Sequence, residues 1–245
     1  MDGAGLTEAR LREQIRARGI TRLCHLTPSR NLVHIATANE GILSVHQLGR
    51  DERSVFTQQD LARFDQQPDH ISCSIQYPNA WYLRHKSNPR GEASNFRDWV
   101  VLGLDAGRIA LPTTLFSPGN AAEGSGINLG SGIDAFGAMY EAEFVDGKGR
   151  SFKRTAKMLA ACPTNDQAEV MIHRQIPLTE IGTIFVRDAE QATRQYVGLQ
   201  QIGADADHFR YVVAPSFFDP YQLSANLRDG VAPTETEWNA PNRDE

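Results

Sequence analysis

The stretch LCHLTPSRNLVHIATANEGILS, residues 23–44, changes structure midway. RLCHL at 22–26 reads as a short strand. Asn31 to Asn39 reads as a helix, with Leu32 and Ile35 on one face and an end near Gly41. His25 therefore stands where a strand gives way to a turn and a helix. A histidine in that place can donate to a ribose or a carbonyl, and the N-terminus of the following helix favours an anion. The plainer alternative is a half-buried histidine whose hydrogen bonds are met inside the protein, with Ser29 or Asn31 acting only as a helix cap.

A second stretch, NDQAEVMIHRQIP at 165–177, poses a related question. Val170 and Ile172 alternate with Met171 and His173, and Pro177 follows, which reads as a short strand with one buried face. Glu169 stands at the mouth of that strand, between Ala168 and Val170. It either faces water at a strand end or sits on the rim of a cleft. The second reading needs partners from elsewhere in the chain.

Composition narrows the field. The chain has 245 residues, 40% hydrophobic and 22% charged, which suits one large domain with a real core. No run of apolar residues is long enough to span a membrane, and the mixed, polar N-terminus lacks the apolar centre of a secretory signal. Cys24, Cys73 and Cys162 match no zinc spacing and are expected as packed thiols in a reducing cytoplasm. The seven histidines form no HExxH or other ligand pattern, so no metal is expected. GSG at 124–126 is not the Gly-x-Ser-x-Gly turn of a serine nucleophile. A net charge of −5 argues against coating nucleic acid by bulk charge, but not against a local basic patch.

Further along, residues 7–19 read as a helix, capped by Thr7, with Leu11 and Ile15 on one face. DHISCSIQYP and WVVLGLD read as strands, the second central in a sheet. Residues 117–132 carry five glycines and read as a mobile loop, without the strand-then-helix frame of a dinucleotide-binding turn. FGAMYEAEF reads as helical, IGTIFV as a strand, RDAEQATRQYVGLQQIG as a helix and HFRYVVAPSFF as a last strand. From about Pro220 the chain is polar, acidic and proline-containing, and is expected to be disordered. The pattern is α+β, in one domain.

Two stretches have a chemical character of their own. QYPNAWYLRH at 76–85 offers Tyr77, Trp81 and Tyr82 as flat faces for a heteroaromatic ring, or as an aromatic cluster running from surface to core. GKGRSFKRTAK at 147–157 gathers Lys148, Arg150, Lys153, Arg154 and Lys157, with no acid from Gly147 to Asn165. In an acidic chain that excess suggests contact with a phosphate backbone; a solvated basic helix face is the alternative.

The order of these pieces resembles the DarT-type ADP-ribosyltransferases, toxins that transfer ADP-ribose from NAD to a nucleic-acid base. The resemblance rests on LCHLTPSRNLVHI with GILS, on DLARFDQQPDHISCSIQYPNAWYL, on WVVLGLDAGRI and on NDQAEVMIHRQIPLTEI, spanning about residues 20–185. It implies a single-domain ADP-ribosyltransferase-like fold over 21–219: a central mixed or antiparallel split β-sheet flanked by helices. Residues 1–20 would be a helical extension and 220–245 a tail. It implies NAD as co-substrate and Glu169 as the catalytic glutamate, with His25, Thr27 and Asn31 contacting NAD. Tyr77 and Tyr82 are further candidates for that contact, and Arg63 takes the family's arginine role, with Arg53 and Arg50 behind it.

The implied substrate is single-stranded nucleic acid, DNA ahead of RNA, and the implied partner an antitoxin, a macrodomain-type hydrolase or an inhibitor. Transfer to RNA or protein, or a non-catalytic NAD- or nucleic-acid-binding module, are the alternatives. HLTP at 25–28 departs from the family's aromatic HFTH. ISCSIQYPNAWY at 71–82 replaces the YVPFYF…RSPM stretch of the thymidine-specific branch, which points to a divergent or guanosine-type branch. The resemblance also gives Glu169 its purpose. Breaking the nicotinamide–ribose bond builds positive charge on the sugar, which a fixed carboxylate stabilises, and the same group can take a proton from the attacking base.

Overall fold

A strand with apolar residues in both phases buries both of its faces, and WVVLGLD is the centre of such an arrangement. The computed structural model describes residues 3–37, 40–48, 65–86 and 98–240. The first half of the chain runs α1 (Gly3–Arg18), β1 (Arg22–Pro28), α2 (Asn31–Thr37), β2 (Ile42–Leu43), β3 (His70–Ile75), α3 (Ala80–Lys86) and β4 (Trp99–Asp105). Next come β5 (Leu115–Ser117), β6 (Gly130–Ser131), α4 (Gly132–Ala138), β7 (Glu143–Val145), β8 (Ser151–Lys153), β9 (Glu169–His173) and β10 (Gln175–Ile176). The last part holds β11 (Ile181–Val186), α5 (Ala189–Gln201), β12 (Arg210–Val213), α6 (Pro220–Asp229) and β13 (Thr236–Trp238).

One large sheet has the strand order β13-β12-β11-β4-β1-β3-β9-β5-β6. Its pairings are antiparallel except that of β11 with β12. The alternation of side chains along a strand divides the core in two. Val100, Leu102 and Leu104 of β4, with Val170 and Ile172 of β9, face a layer that includes Leu11 and Ile15 of α1, Leu32 of α2, Phe136 of α4 and Leu199 of α5. Val101 and Phe185 face the other way, onto Ala80 of α3, Phe217, and Leu223 and Leu227 of α6. The helix after β1 ends before Gly41, whose φ of 76° suits glycine, and where a Cβ would collide with the backbone carbonyl of Ile176. That close approach lets β2 pair with β10.

The structure corrects several expectations. Residues from Pro220 to Trp238 form a helix and a strand rather than a disordered tail. Asp219 caps α6 by accepting from the N–H groups of Tyr221 and Gln222, Pro220 takes a first-turn position, and Gly230 closes the helix in the left-handed region. Buried Leu223 and Leu227 anchor α6, β13 pairs with β12, and Glu235 accepts two hydrogen bonds from Arg22, at 2.8 and 2.5 Å. Polar composition hid two leucines at helical spacing and a capping acid. The glycine-rich stretch expected as a mobile loop contains a short turn at Glu123–Gly126 and ends in β6, which pairs with β5. Helix α1 begins a turn earlier than Thr7. FGAMYEAEF is helical only to Ala138, and from Glu143 it is strand. β9 is buried on both faces, Met171 as fully as Val170 and Ile172, and lies inside the sheet between β3 and β5.

Candidate active site

The site is made by a sheet that parts. β1 and β3 are paired only at Leu23↔Ile75 and Cys24↔Ser74. Beyond that, β1 stays on β4 as far as Pro28, while β3 stays on β9 from Cys73 to His70. A cavity of 420 Å³ is lined by residues of both halves, within the usual range for small-molecule sites.

From the first half come His25, Thr27 and Asn31. His25 Nδ1 lies 2.9 Å from the carbonyl oxygen of Ser72, so Nδ1 carries the proton and donates. That bond bridges the two strands where their ladder stops. Thr27 and Asn31 are buried, and Asn31 Nδ2 donates to Thr27 Oγ1 at 2.9 Å. Asn31 Oδ1 is buried with no hydrogen-bond partner among the described residues, and so is the hydroxyl of Ser44, which also lines the cavity.

From the second half comes Glu169, the first residue of β9, half-buried on the cavity wall. Ser72 Oγ donates to Glu169 Oε2 at 2.6 Å, the length of a hydroxyl–carboxylate hydrogen bond. The register explains the contact. Ser72 stands opposite Met171, and Glu169, two residues away, projects from the same face of the sheet. Sequence reasoning missed Ser72, although its signal was there: Ser72 and Ser74 form a polar phase in HISCSI, against Ile71, Cys73 and Ile75.

The other sequence candidates fall in different places. Tyr82 lies on the cavity wall, 37% exposed, with its ring edge-on to Trp99 at 6.3 Å. Tyr77 is not on that wall. It follows Gln76, whose φ is 66°, and packs edge-on against Phe217 at 5.7 Å, where burial pushes its hydroxyl up to about 12. Arg63, Arg53 and Arg50 lie outside the described residues.

The basic stretch is a β-hairpin and its following loop, not a helix face. β7 pairs with β8, and Asp146 holds the turn by accepting from the backbone N–H groups of Lys148 and Arg150 and from Arg150 Nε. Burial alone would raise the Asp146 carboxyl, but the hydrogen bonds from Arg150 and Lys148 outweigh it and hold the carboxyl low. Lys153 Nζ lies 3.9 Å from Glu143. Arg154 is turned inward, donating to the carbonyls of Cys162 and Leu159 at 2.7 and 3.0 Å, and desolvation lowers its pKa. Of the five cations Arg154 is the one turned inward; Lys148, Arg150, Lys153 and Lys157 are exposed. Among the described residues no group of three or more His, Cys, Asp or Glu side chains is placed to hold a metal, and no helix is long and apolar enough to cross a membrane.

Solved structures of similar fold include Thermus sp. 2.9 DarT in complex with ADP-ribosylated ssDNA, at a TM-score of 0.55 and 15% identity over 82% of this chain and 97% of that one. Thermus sp. 2.9 DarT in complex with NAD+ gives 0.52 and 14% over 81% and 97%. Thermosipho africanus DarTG in complex with ADP-ribose gives 0.54 and 14%, and there the chain spans 51% of the other's length. At such identities the likeness is one of fold. No curated protein sequence matches the chain. A family model described as DarT, ssDNA thymidine ADP-ribosyltransferase, matches residues 24–218, a span that takes in His25, Ser72 and Glu169, and the chain belongs to that family.

Proposed function

We propose that the protein transfers ADP-ribose from NAD to a base of single-stranded DNA, with Glu169 as the catalytic carboxylate. The observation that carries this reading is the Ser72–Glu169 hydrogen bond of 2.6 Å on the wall of a cavity that also presents His25 and Asn31. The cavity suits a dinucleotide. Its walls are mainly apolar, as a nicotinamide or adenine ring requires. The buried Asn31 Oδ1 and Ser44 Oγ have no partner among the described residues and would be satisfied by ligand hydroxyl or amide groups.

NAD supplies an ADP-ribosyl group whose bond to nicotinamide breaks with positive charge building on the ribose. The residues of the chain hold that ribose and its charge. Glu169, oriented by Ser72, presents its carboxylate to a ribose hydroxyl and to the growing charge. It then accepts the proton that the attacking base loses. His25, its Nδ1–H donating to the Ser72 carbonyl, is held on the cavity wall in position to contact the ribose. Arg63 takes the remaining family role, and Tyr82 offers its ring at the cavity mouth.

The family description favours thymidine as the target. The departure at 71–82, ISCSIQYPNAWY, favours guanosine as the competing reading. In the toxin role the protein acts in the cytoplasm and is held in check by an antitoxin, of macrodomain hydrolase or inhibitor type. The test is incubation with labelled NAD and a panel of single-stranded DNA, RNA and protein, followed by mass analysis of the product. DNA oligonucleotides with thymine or guanine as the sole reactive base identify the target. Label on RNA or protein alone would overturn the reading.

A further inference from the structure

Of the cations at 148–157, Arg154 is folded back onto carbonyls, while Lys148, Arg150, Lys153 and Lys157 are exposed, and none of the five lines the cavity. A second cationic segment, α3, lies at the cavity itself. Its sequence AWYLRHK ends in Arg84, His85 and Lys86 and contains no acid. His85 and Lys86 reach the cavity wall next to Tyr82, and Lys86 Nζ lies 5.5 Å from the Tyr82 ring centroid.

On its far side α3 meets α6. Tyr221 of α6 is 60% exposed. The Arg84 guanidinium lies over its ring at 4.6 Å and donates to its hydroxyl. Trp81 packs edge-on with Tyr221 at 5.2 Å and is itself pinned by hydrogen bonds from Nε1 to Asp166 at 3.0 Å and Ser224 at 2.9 Å. The acids of this cluster are both engaged, Asp166 by Trp81 and Ser224, and Asp219 by the backbone N–H groups of Tyr221 and Gln222. A large aromatic ring held in place while more than half exposed has no evident role in folding.

We propose that α3 and the start of α6 form a docking ledge for the single strand. Tyr221 takes the face of a base flanking the target, and Arg84 and Lys86 hold the phosphates leading to the cavity. The physical case is that of single-strand binding in general, in which an aromatic face stacks a base without regard to its identity and neighbouring cations follow the backbone. Charge decides for a polyanionic strand: α3 ends in Arg84, His85 and Lys86 with no acid, Arg84 standing at Tyr221 and Lys86 at Tyr82 on the cavity wall.

The proposal rests on the transfer activity proposed above, and the test separates the two. Binding and transfer are measured with a short DNA oligonucleotide, little more than the target base, and with a long one, using wild type, Tyr221→Ala, Tyr221→Phe and Arg84→Gln. Tyr221→Ala is expected to weaken binding of the long strand about five- to 150-fold, the equivalent of about 1–3 kcal/mol for one stacked base. Transfer to the short oligonucleotide should be unchanged. Tyr221→Phe keeps the ring and should bind almost as wild type. Arg84→Gln should lower the log–log salt slope by roughly 0.7. Equal affinity of all four proteins for the long strand overturns the ledge while leaving the activity standing. Tighter binding of RNA, lost in the same variants, reassigns the surface to RNA and overturns the proposal. Failure of wild type to modify any oligonucleotide removes the activity and the ledge together.

Discussion

Ser72 Oγ donates a hydrogen bond of 2.6 Å to Glu169 Oε2, joining two residues 97 positions apart on neighbouring strands. The bond fixes one carboxylate oxygen and with it the direction in which the group faces the cavity. A hydrogen bond to a charged group contributes about 1.5–3 kcal/mol. Ser72→Ala is therefore expected to reduce kcat about ten- to hundredfold with little change in the KM for NAD. Ser72→Thr, which keeps the hydroxyl, should restore most of the rate. Steady-state kinetics of both variants check the assignment, and a rise in KM at constant kcat would show that Ser72 serves binding instead.

Glu169→Ala should lower transfer by at least about two orders of magnitude, because the loss falls on charge and proton transfer in the transition state. NAD affinity and the unfolding midpoint should stay close to wild type, since the side chain is half-buried at a strand end rather than packed in the core. Near-normal product from the folded variant would remove the central assignment.

His25→Ala takes away the ring and the bond from Nδ1 to Ser72 O. One hydrogen bond lost to the ligand amounts to about 1 kcal/mol, and NAD affinity should fall about five- to tenfold. Titration calorimetry reads this directly. Unchanged affinity would make His25 a brace between two strands that part, with no hold on NAD.

Arg154→Ala and Lys153→Ala separate structure from substrate binding within the basic stretch. Arg154 donates to the carbonyls of Cys162 and Leu159, so Arg154→Ala should cost about 1–3 kcal/mol of stability in chemical denaturation. It should leave the salt slope of DNA binding as it is. Lys153 is exposed beside Glu143, and Lys153→Ala should change stability little. A flattening of the slope by about 0.7 for Arg154→Ala would show that it leaves its carbonyls to meet a phosphate.

The elements of this protein and its main carboxylate were legible in the chain itself. β1, β3, β4, β9 and β11 announce themselves as strands, α5 as the helical stretch RDAEQATRQYVGLQQIG, and Glu169 by its place at the head of an apolar strand. These are local properties, settled by side chains a few residues apart. What the tertiary structure alone decided is which groups meet. Register across β3 and β9 set Ser72 on Glu169, and no periodicity within either segment contains that pairing. Tyr77 and Tyr82 share one short aromatic stretch, yet the left-handed Gln76 and packing on Phe217 keep Tyr77 in the core while Tyr82 reaches the cavity. Arg154 reads as a surface cation beside Lys153 but folds back onto two carbonyls. The polar segment after Pro220 becomes ordered because Leu223, Leu227 and Trp238 find apolar partners supplied by β11, β12 and α5. A charge or a ring in sequence states only what a side chain is able to do. Its neighbours, brought from far along the chain by burial and hydrogen bonding, determine whether it does so in water, in the core or in the cleft.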